Sequence, residues 1–266
     1  MQHIMTCTTE ELALLITLCG YPAVAKSIAE ASLGEKSEQE WMAVMDSAAR
    51  QLMAKQYWDF EKEARDEIPL SDELQRFIVQ YVQSDYMLRC SNAPMQNVLL
   101  FHYIEKDAPW VVHIIDRDII HEFSYISQEE LSSIIRDYYD YRGNSLEVGR
   151  QFQLSDEAFD LLQDKAQLER VKEMISVLSS GQLATFQHFI QDLEEKDWIL
   201  NNISLFSIPE QDEPRLLNIV FFLPSSAGVW IIDYTDHEET PVLIQLSSST
   251  EWEQLLQFIG HMELSE

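Results

Sequence analysis

The sequence predicts an α+β protein built as a pseudo-two-fold duplication, in which helices, an antiparallel β-meander and a closing helix occur twice. Three observations predict it. Helical periodicity with capping signals fills most of residues 8–83, four strand-like segments follow in quick succession, and the same order runs again from residue 154. The chain of 266 residues is long enough for one large domain. We expect a single pseudo-symmetric domain over 1–266, with halves at 1–142 and 150–266.

The helices come first. In TTEELALLITLC (8–19), Thr8 stands three residues before Glu11, the spacing of a capping box, and Leu12, Leu15, Ile16 and Cys19 share one face. Pro22 suits the first turn of a second helix. Ser37 and Glu40 repeat the capping box before a stripe of Trp41, Val44, Met45, Ala48 and Leu52. YWDF (57–60) is short and aromatic and reads as a strand leading into a turn, which makes the N-terminal segment a winged-helix-like helical unit. A further helix starts at Ser71, with Leu74, Phe77, Ile78 and Tyr81 inward.

From 85 the period changes to strands: DYMLRCS, NVLLFHYI, WVVHIID and IIHEFSYIS, closed by the helix SQEELSSIIRDYYDY. RGNSLEVG (142–149) is the most linker-like stretch, although Leu146 and Val148 could add a strand. The second half then gives LSDEAFDLLQDK, ERVKEMISVL and QLATFQHFIQDLEEK as helices. WILNNISLFSI, LLNIVFFL, GVWIIDY and PVLIQLS follow as strands, and SSTEWEQLLQFIGHM as the last helix. At an offset of 120, Trp110, Val111, Val112 and Asp116 meet Trp230, Ile231, Ile232 and Asp236; Asn97, Val98 and Phe101 meet Asn218, Ile219 and Phe222 one residue further out. Buried hairpins draw on similar residues anyway, so the repeated order of elements carries more weight than the identities.

Composition narrows the function. Acids outnumber bases 46 to 18, a formal charge of −28, and such a field repels phosphate backbones and anionic membranes while favouring a basic partner. No nucleic-acid binding and no membrane insertion are expected. Three cysteines without a C-x-x-C spacing fit a reducing cytoplasm better than a disulfide framework. The opening MQHIMTCTTEEL lacks a basic n-region and a small-residue cleavage site, so no secretory signal is expected.

Chemistry is sparse. HIIDRDIIHE brings His113, Asp116, Asp118, His121 and Glu122 near one turn, which could hold a divalent metal or move protons. Its spacing matches no ligand motif, however, and solvated turn residues explain it. Cys90 beside Arg89 could be activated, yet a small buried strand thiol is the ordinary case. We expect no enzyme, no catalytic or metal-binding residues and no cofactor. The adjacent Phe221 and Phe222 must point to opposite sheet faces, so both faces are covered or one binds a partner.

The layout resembles the EspG family, the cytosolic chaperones of type VII secretion systems. TTEELALLITLCG is similar to that family's L-T-x-E-E-L-x-x-L-x-x-L-G start, LMAKQYWDF to its helix-then-wing step, and PLSDELQRFIVQYVQSDYML to its helix leading into a strand. NVLLFHYIEKDAPWVVHII and SQEELSSII follow as they do there, and the acidic, glycine-poor composition looks closer to the branch serving Firmicutes systems. The resemblance covers essentially the whole chain. It implies a cytoplasmic, non-catalytic protein that binds a secreted helical protein or toxin of a type VII system at its targeting region and keeps it soluble for export. It also implies an apolar groove on the second-half sheet and preceding helices, here Phe186, Phe189, Phe206, Ile208, Phe221 and Leu223. The charge leaves one alternative, an acidic immunity protein that neutralises a secreted toxin.

Overall fold

The computed structural model describes residues 1–91, 97–105, 108–141, 149–176, 178–209 and 214–260. In chain order the elements are β1 (Gln2–Thr8), α1 (Thr9–Leu18), α2 (Pro22–Leu33), α3 (Glu38–Ala54), α4 (Phe60–Glu63), α5 (Asp72–Val82), β2 (Tyr86–Ser91), β3 (Asn97–Tyr103), β4 (Trp110–Asp116), β5 (Ile120–Ile126) and α6 (Gln128–Tyr138). There follow β6 (Arg150–Leu154), α7 (Asp156–Leu162), a 3-10 turn at Lys165–Gln167, α8 (Leu168–Met174), α9 (Ser180–Glu195), β7 (Asn201–Ser207), β8 (Arg215–Pro224), β9 (Val229–Tyr234), β10 (Val242–Ser247) and α10 (Ser249–Gly260). These form two compact units that interleave along the chain. One comprises Met1–Arg89, Met95–Ser127 and Leu205–Leu217; the other comprises Cys90–Pro94, Gln128–Ser204 and Asn218–Glu266.

In the first unit the strand order is β1-β5-β4-β3-β2. Helices start where side chains satisfy the free N–H groups: Thr8 with Glu11, and Ser37 with Glu40, form the expected capping boxes, and Ser71 accepts from the N–H of Leu74. The core joins Met5 and Cys7 of β1 to Leu12, Leu15 and Ile16 of α1. It continues through Ala25 and Ala29 of α2, Leu52 of α3, Phe77 and Ile78 of α5, and Val111 and Phe123 of the sheet. β1 was not expected from the sequence. It pairs antiparallel with β5, Cys7 opposite His121, more than a hundred residues away.

The strand expected at 57–60 is absent. Phe60 opens α4, because the Asp59 carboxylate accepts from the N–H groups of Glu61 and Lys62 and starts a helical turn there. Trp58 ties its indole N–H to Glu63. A capping aspartate next to three helix formers outweighs the strand preference of two aromatics. The additional strand considered at Leu146 and Val148 lies outside the described residues; β6 begins just after them.

Glu11 is fully buried. Its Oε2 accepts from the Thr8 N–H at 2.7 Å and from Lys55 Nζ at 2.7 Å, whereas Oε1 has no hydrogen-bond partner. Lys55 ends α3, so this pair fastens α3 to the start of α1. Removing the cation leaves a carboxylate in the interior with a single donor. Lys55→Met is therefore expected to destabilise by about 2 kcal/mol, below the usual loss for a buried pair because Lys55 is itself part-exposed. Urea unfolding against wild type measures it. Glu11→Gln, which keeps an acceptor for the cap, should cost less.

In the second unit the order is β7-β8-β9-β10-β6, with β6 antiparallel to β10. One sheet face is covered by α7, α8 and α9, where Phe152, Phe159, Phe186, Phe189, Leu223, Trp230, Ile232 and Ile244 meet. On the other, Phe222 lies 4.7 Å from Tyr139 and 4.5 Å from Trp252 of α10. Phe221 and Phe222 face opposite ways, as expected, and of the two alternatives the first holds: helices lie over both faces, with Phe221 half-buried and Phe222 buried. Each set of four meander strands thus gains an outer strand from upstream, β1 on β5 and β6 on β10.

Trp110 and Trp230 have ladder partners that are also 120 apart, but the helices that follow start one residue out of step. Trp110 sits opposite Ile126, two residues before α6 begins. Trp230 sits opposite Leu246, three residues before α10. Trp230 lies in the core beneath α9, whereas Trp110, next to Val111 of the first core, points away from that core. Ser248, whose hydroxyl accepts from the Glu251 N–H, and not Ser247, precedes α10 as its cap.

Candidate functional site

The six residues expected to line a groove are divided by the fold. Phe186, Phe189 and Leu223 are interior, none more than 2% exposed. Phe186 and Phe189 pack on Phe152, and Phe189 also meets Trp230, at ring separations of 5.4–5.8 Å. Phe221 is half-buried at the margin of the same core, edge-on to Phe159 of α7. Phe206 and Ile208 are half-buried in the first unit, where the Ile208 N–H donates to Asp85 O at 2.8 Å. Phe206, Ile208 and Phe221 keep accessible surface; the other three are packing residues.

The structure adds two residues that sequence reasoning missed. Leu216 and Leu217, in the first unit, are each 53% exposed. Successive strand residues point to opposite faces, so this end of β8 is bare on both sides. The burial along β8 runs from exposed at Arg215–Asn218, through half-buried at Ile219–Phe221, to buried at Phe222 and Leu223. An apolar strand end uncovered on both faces is a place where another polypeptide can bury surface. The consecutive leucines in PRLLNIVFFL were legible as a strand, but nothing local showed that the layers stop short of them.

The histidine cluster is not the solvated turn it was taken to be. His113 and His121 are 2% and 4% exposed, and His113 Nε2 lies 2.8 Å from His121 Nδ1. Burial pushes the His121 imidazole down to about 4 and holds His113 well below the usual range. The acids of the motif stay apart: Asp118 is exposed in the β4–β5 turn, where it and Arg117 have φ of 58° and 52°. Among the described residues no group of three His, Cys, Asp or Glu could hold a metal ion.

Cys90 is buried, and burial pushes its thiol up to about 12. It is not an activated nucleophile. Asp192, also buried, is engaged by the Trp230 indole N–H at 2.6 Å, with His188 Nε2 3.6 Å away. This carboxylate positions α9 on the sheet. No helix among the described residues is long and apolar enough to cross a membrane.

Antiparallel strands with helices packed upon them make this an α+β protein, and its backbone has an EspG-like fold. The backbone is similar to that of the Mycobacterium tuberculosis type VII secretion system chaperone EspG5, determined in complex with the PE25–PPE41 dimer. The match has a TM-score of 0.55 and 10% sequence identity, covering 96% of this chain and 93% of that one. By sequence, the chain belongs to the YfjC family, whose model, described as uncharacterised protein YfjC, matches residues 10–256. No curated protein sequence matches the chain.

Proposed function

We propose that this protein is a cytoplasmic chaperone or adaptor of a type VII secretion system that binds a secreted helical client or toxin stoichiometrically and holds it soluble for export. The observation that carries the reading is the near full-length likeness to EspG5, a chaperone determined with its PE25–PPE41 dimer bound. The accessible apolar residues supply a physical basis. Leu216, Leu217, Phe206 and Ile208 offer surface that a client would remove from water, as part of an interface of about 1,200–2,000 Å² in total. The charge of −28 keeps a complex soluble and speeds encounter with a basic client.

The same reading takes the chain as one duplicated body with halves at 1–142 and 150–266. The strand ladders support the offset of 120, since Trp110 opposite Ile126 corresponds to Trp230 opposite Leu246, while the Ser127 and Ser248 positions before α6 and α10 stand 121 apart. An N-terminal winged-helix-like origin for α1–α3 remains compatible with this reading only as a helical packing module, since no strand follows at 57–60.

The test is co-expression with candidate helical secretion proteins from the same genome. Wild type should co-purify with one of them at 1:1. Leu216→Asp combined with Leu217→Asp should reduce capture at least about tenfold, as loss of central apolar anchors does. Phe206→Asp, Ile208→Asp and Phe221→Asp should weaken it individually. Phe258→Asp, at an exposed site on α10, is the control and should leave capture unchanged. Undiminished capture by the leucine double variant refutes the assigned surface. The strong negative charge favours a second reading, an immunity protein; binding to a toxic domain alone, with protection of a cell expressing it, would select that one.

A further inference from the structure

Three buried imidazoles tie the helices of the first unit to its sheet. His102 of β3, His113 of β4 and His121 of β5 lie on adjacent strands, with His102 and His113 ring centroids 5.8 Å apart and His113 and His121 5.0 Å apart. Tyr81 of α5 lies edge-on to His102 at 4.8 Å and to His113 at 5.5 Å. Ser84, just after α5, places its hydroxyl 3.2 Å from His102 Nδ1. At the other end His121 Nε2 is 3.0 Å from Oγ1 of Thr9, the first residue of α1.

Counting protons fixes how this chain is wired. The Thr9 hydroxyl reaches the carbonyl oxygens of Asp118 and Ile119 at 3.2 and 3.3 Å, and carbonyls only accept, so its hydrogen goes to them. Its oxygen then accepts from His121 Nε2–H, which leaves His121 Nδ1 bare to accept from His113 Nε2–H. His113 Nδ1 is the remaining lone pair, buried with no partner, and His102 Nε2 is buried without a partner as well. A further proton has no good place. On His121 Nδ1 it confronts the N–H of His113, and on His113 Nδ1 it is buried with no acceptor, while Phe123, stacked on the ring at 4.2 Å, covers that face of the imidazole. Among the described residues, the hydrogen-bond partners of the three rings are hydroxyls or other imidazoles.

We propose that this cluster is an acid-labile latch: neutral, it holds α1 and α5 on the sheet of the first unit, and protonation releases them while the second unit stays folded. The surrounding charges do not rescue an added proton. From α1 and the β4–β5 turn, Glu10 and Asp118 favour charged His121, but burial outweighs them. From β1, Cys7 faces His121 across the ladder with its thiol pushed up by burial and by Glu11, whose carboxylate is engaged by Lys55. From α5, Tyr81 is held protonated by burial. Glu122 and His3 pair with each other at the surface. Burial pushes His102 down to about 3. All three folded values lie below the unfolded value of about 6.5, so the unfolded chain takes up protons first. Stability is complete above about pH 7 and is lost as pH falls from about 6.5 towards 4.

Hydrogen exchange, resolved by peptide and corrected for the intrinsic pH dependence of the chemistry, tests the latch on the full chain at pH 7.5 and 5.0. Opening of α1 and α5 should rise about 30-fold for each imidazole it exposes, while α9 and β9 change far less. Equal change in both units, or none in α1 and α5, overturns the proposal. His102→Phe should remove one such factor; an unchanged factor also overturns it. Should that variant fail to fold, ring NMR on wild type decides: three imidazoles neutral to pH 5, with protons on Nε2 of His113 and His121, support the wiring, and one titrating near 6.5 refutes it.

Discussion

Replacing Trp230 by alanine should cost about 5 kcal/mol, comparable to the whole stability of many domains. Trp230 is fully buried, with ring neighbours Phe189 at 5.4 Å and His188 at 5.6 Å. Truncating a buried aromatic of this size accounts for about 3–5 kcal/mol by itself. The indole also donates to Asp192, only 5% exposed, and losing that donor leaves a carboxylate short of a partner at about 1–3 kcal/mol. Elements of the second unit should lose hydrogen-exchange protection at 25 °C, while α1 and α5 retain theirs.

Two further variants separate the terms. Trp230→Phe keeps most of the apolar volume and should cost about 2 kcal/mol through the orphaned carboxylate. Adding Asp192→Leu to Trp230→Phe removes both polar partners and should cost no more than the single change, since apolar groups of similar shape tolerate such a swap. A double variant less stable by the sum of the singles would show that the hydrogen bond is not what couples them.

The local signals were the readable ones. Thr8 with Glu11, Ser37 with Glu40 and Ser71 before Leu74 sit within one turn of the groups they satisfy, so sequence spacing reports them directly. β1 is the opposite case: QHIMTCT becomes a strand because β5 offers it an edge, and no neighbour in sequence announces that. Strand identity and register were legible where facing was not. Trp110 and Trp230 have equivalent ladder partners, but Trp230 belongs to the core under the helices of its unit and Trp110 turns away from the helical core of its own.

Burial of polar residues was the hardest feature to foresee. HIIDRDIIHE reads as a wet turn because imidazole is polar and acids surround it. Only the alternation along β4 and β5, combined with α5 lying over that face, turns His113 and His121 inward and Asp118 out. Three of the six candidate groove residues are interior, and for the two in α9 the signal was present. Phe186, Phe189, Ile190 and Leu193 recur at i, i+3, i+4 and i+7, the stripe of a helix facing its own core, and their interior position in α9 follows from it.

Gly228→Ala should be the most disruptive single-methyl addition among the described glycines. Gly228 leads into β9 with φ of 156°, and a Cβ there would stand 2.4 Å from the carbonyl oxygen of Ser247 and 3.2 Å from Leu246 Cδ1. The first of these is backbone, held in place because Ser247 pairs with Val229 at the end of the β9–β10 ladder. The turn before it is equally fixed, since the Ser225 N–H donates to Gly228 O at 2.9 Å. Either the turn or the ladder must move, and we expect a loss of about 3 kcal/mol. Gly20 provides the internal comparison. Its φ of 97° is also unfavourable for alanine, yet nothing lies within 4 Å of the added carbon, so Gly20→Ala should cost about 1 kcal/mol from backbone conformation alone. Equal urea midpoints for the two variants would mean that the close approach to Ser247 contributes nothing. A larger loss at Gly228, with exchange quickened first at Val229 and Ser247, would place the damage in the ladder that seats Trp230 beneath α9.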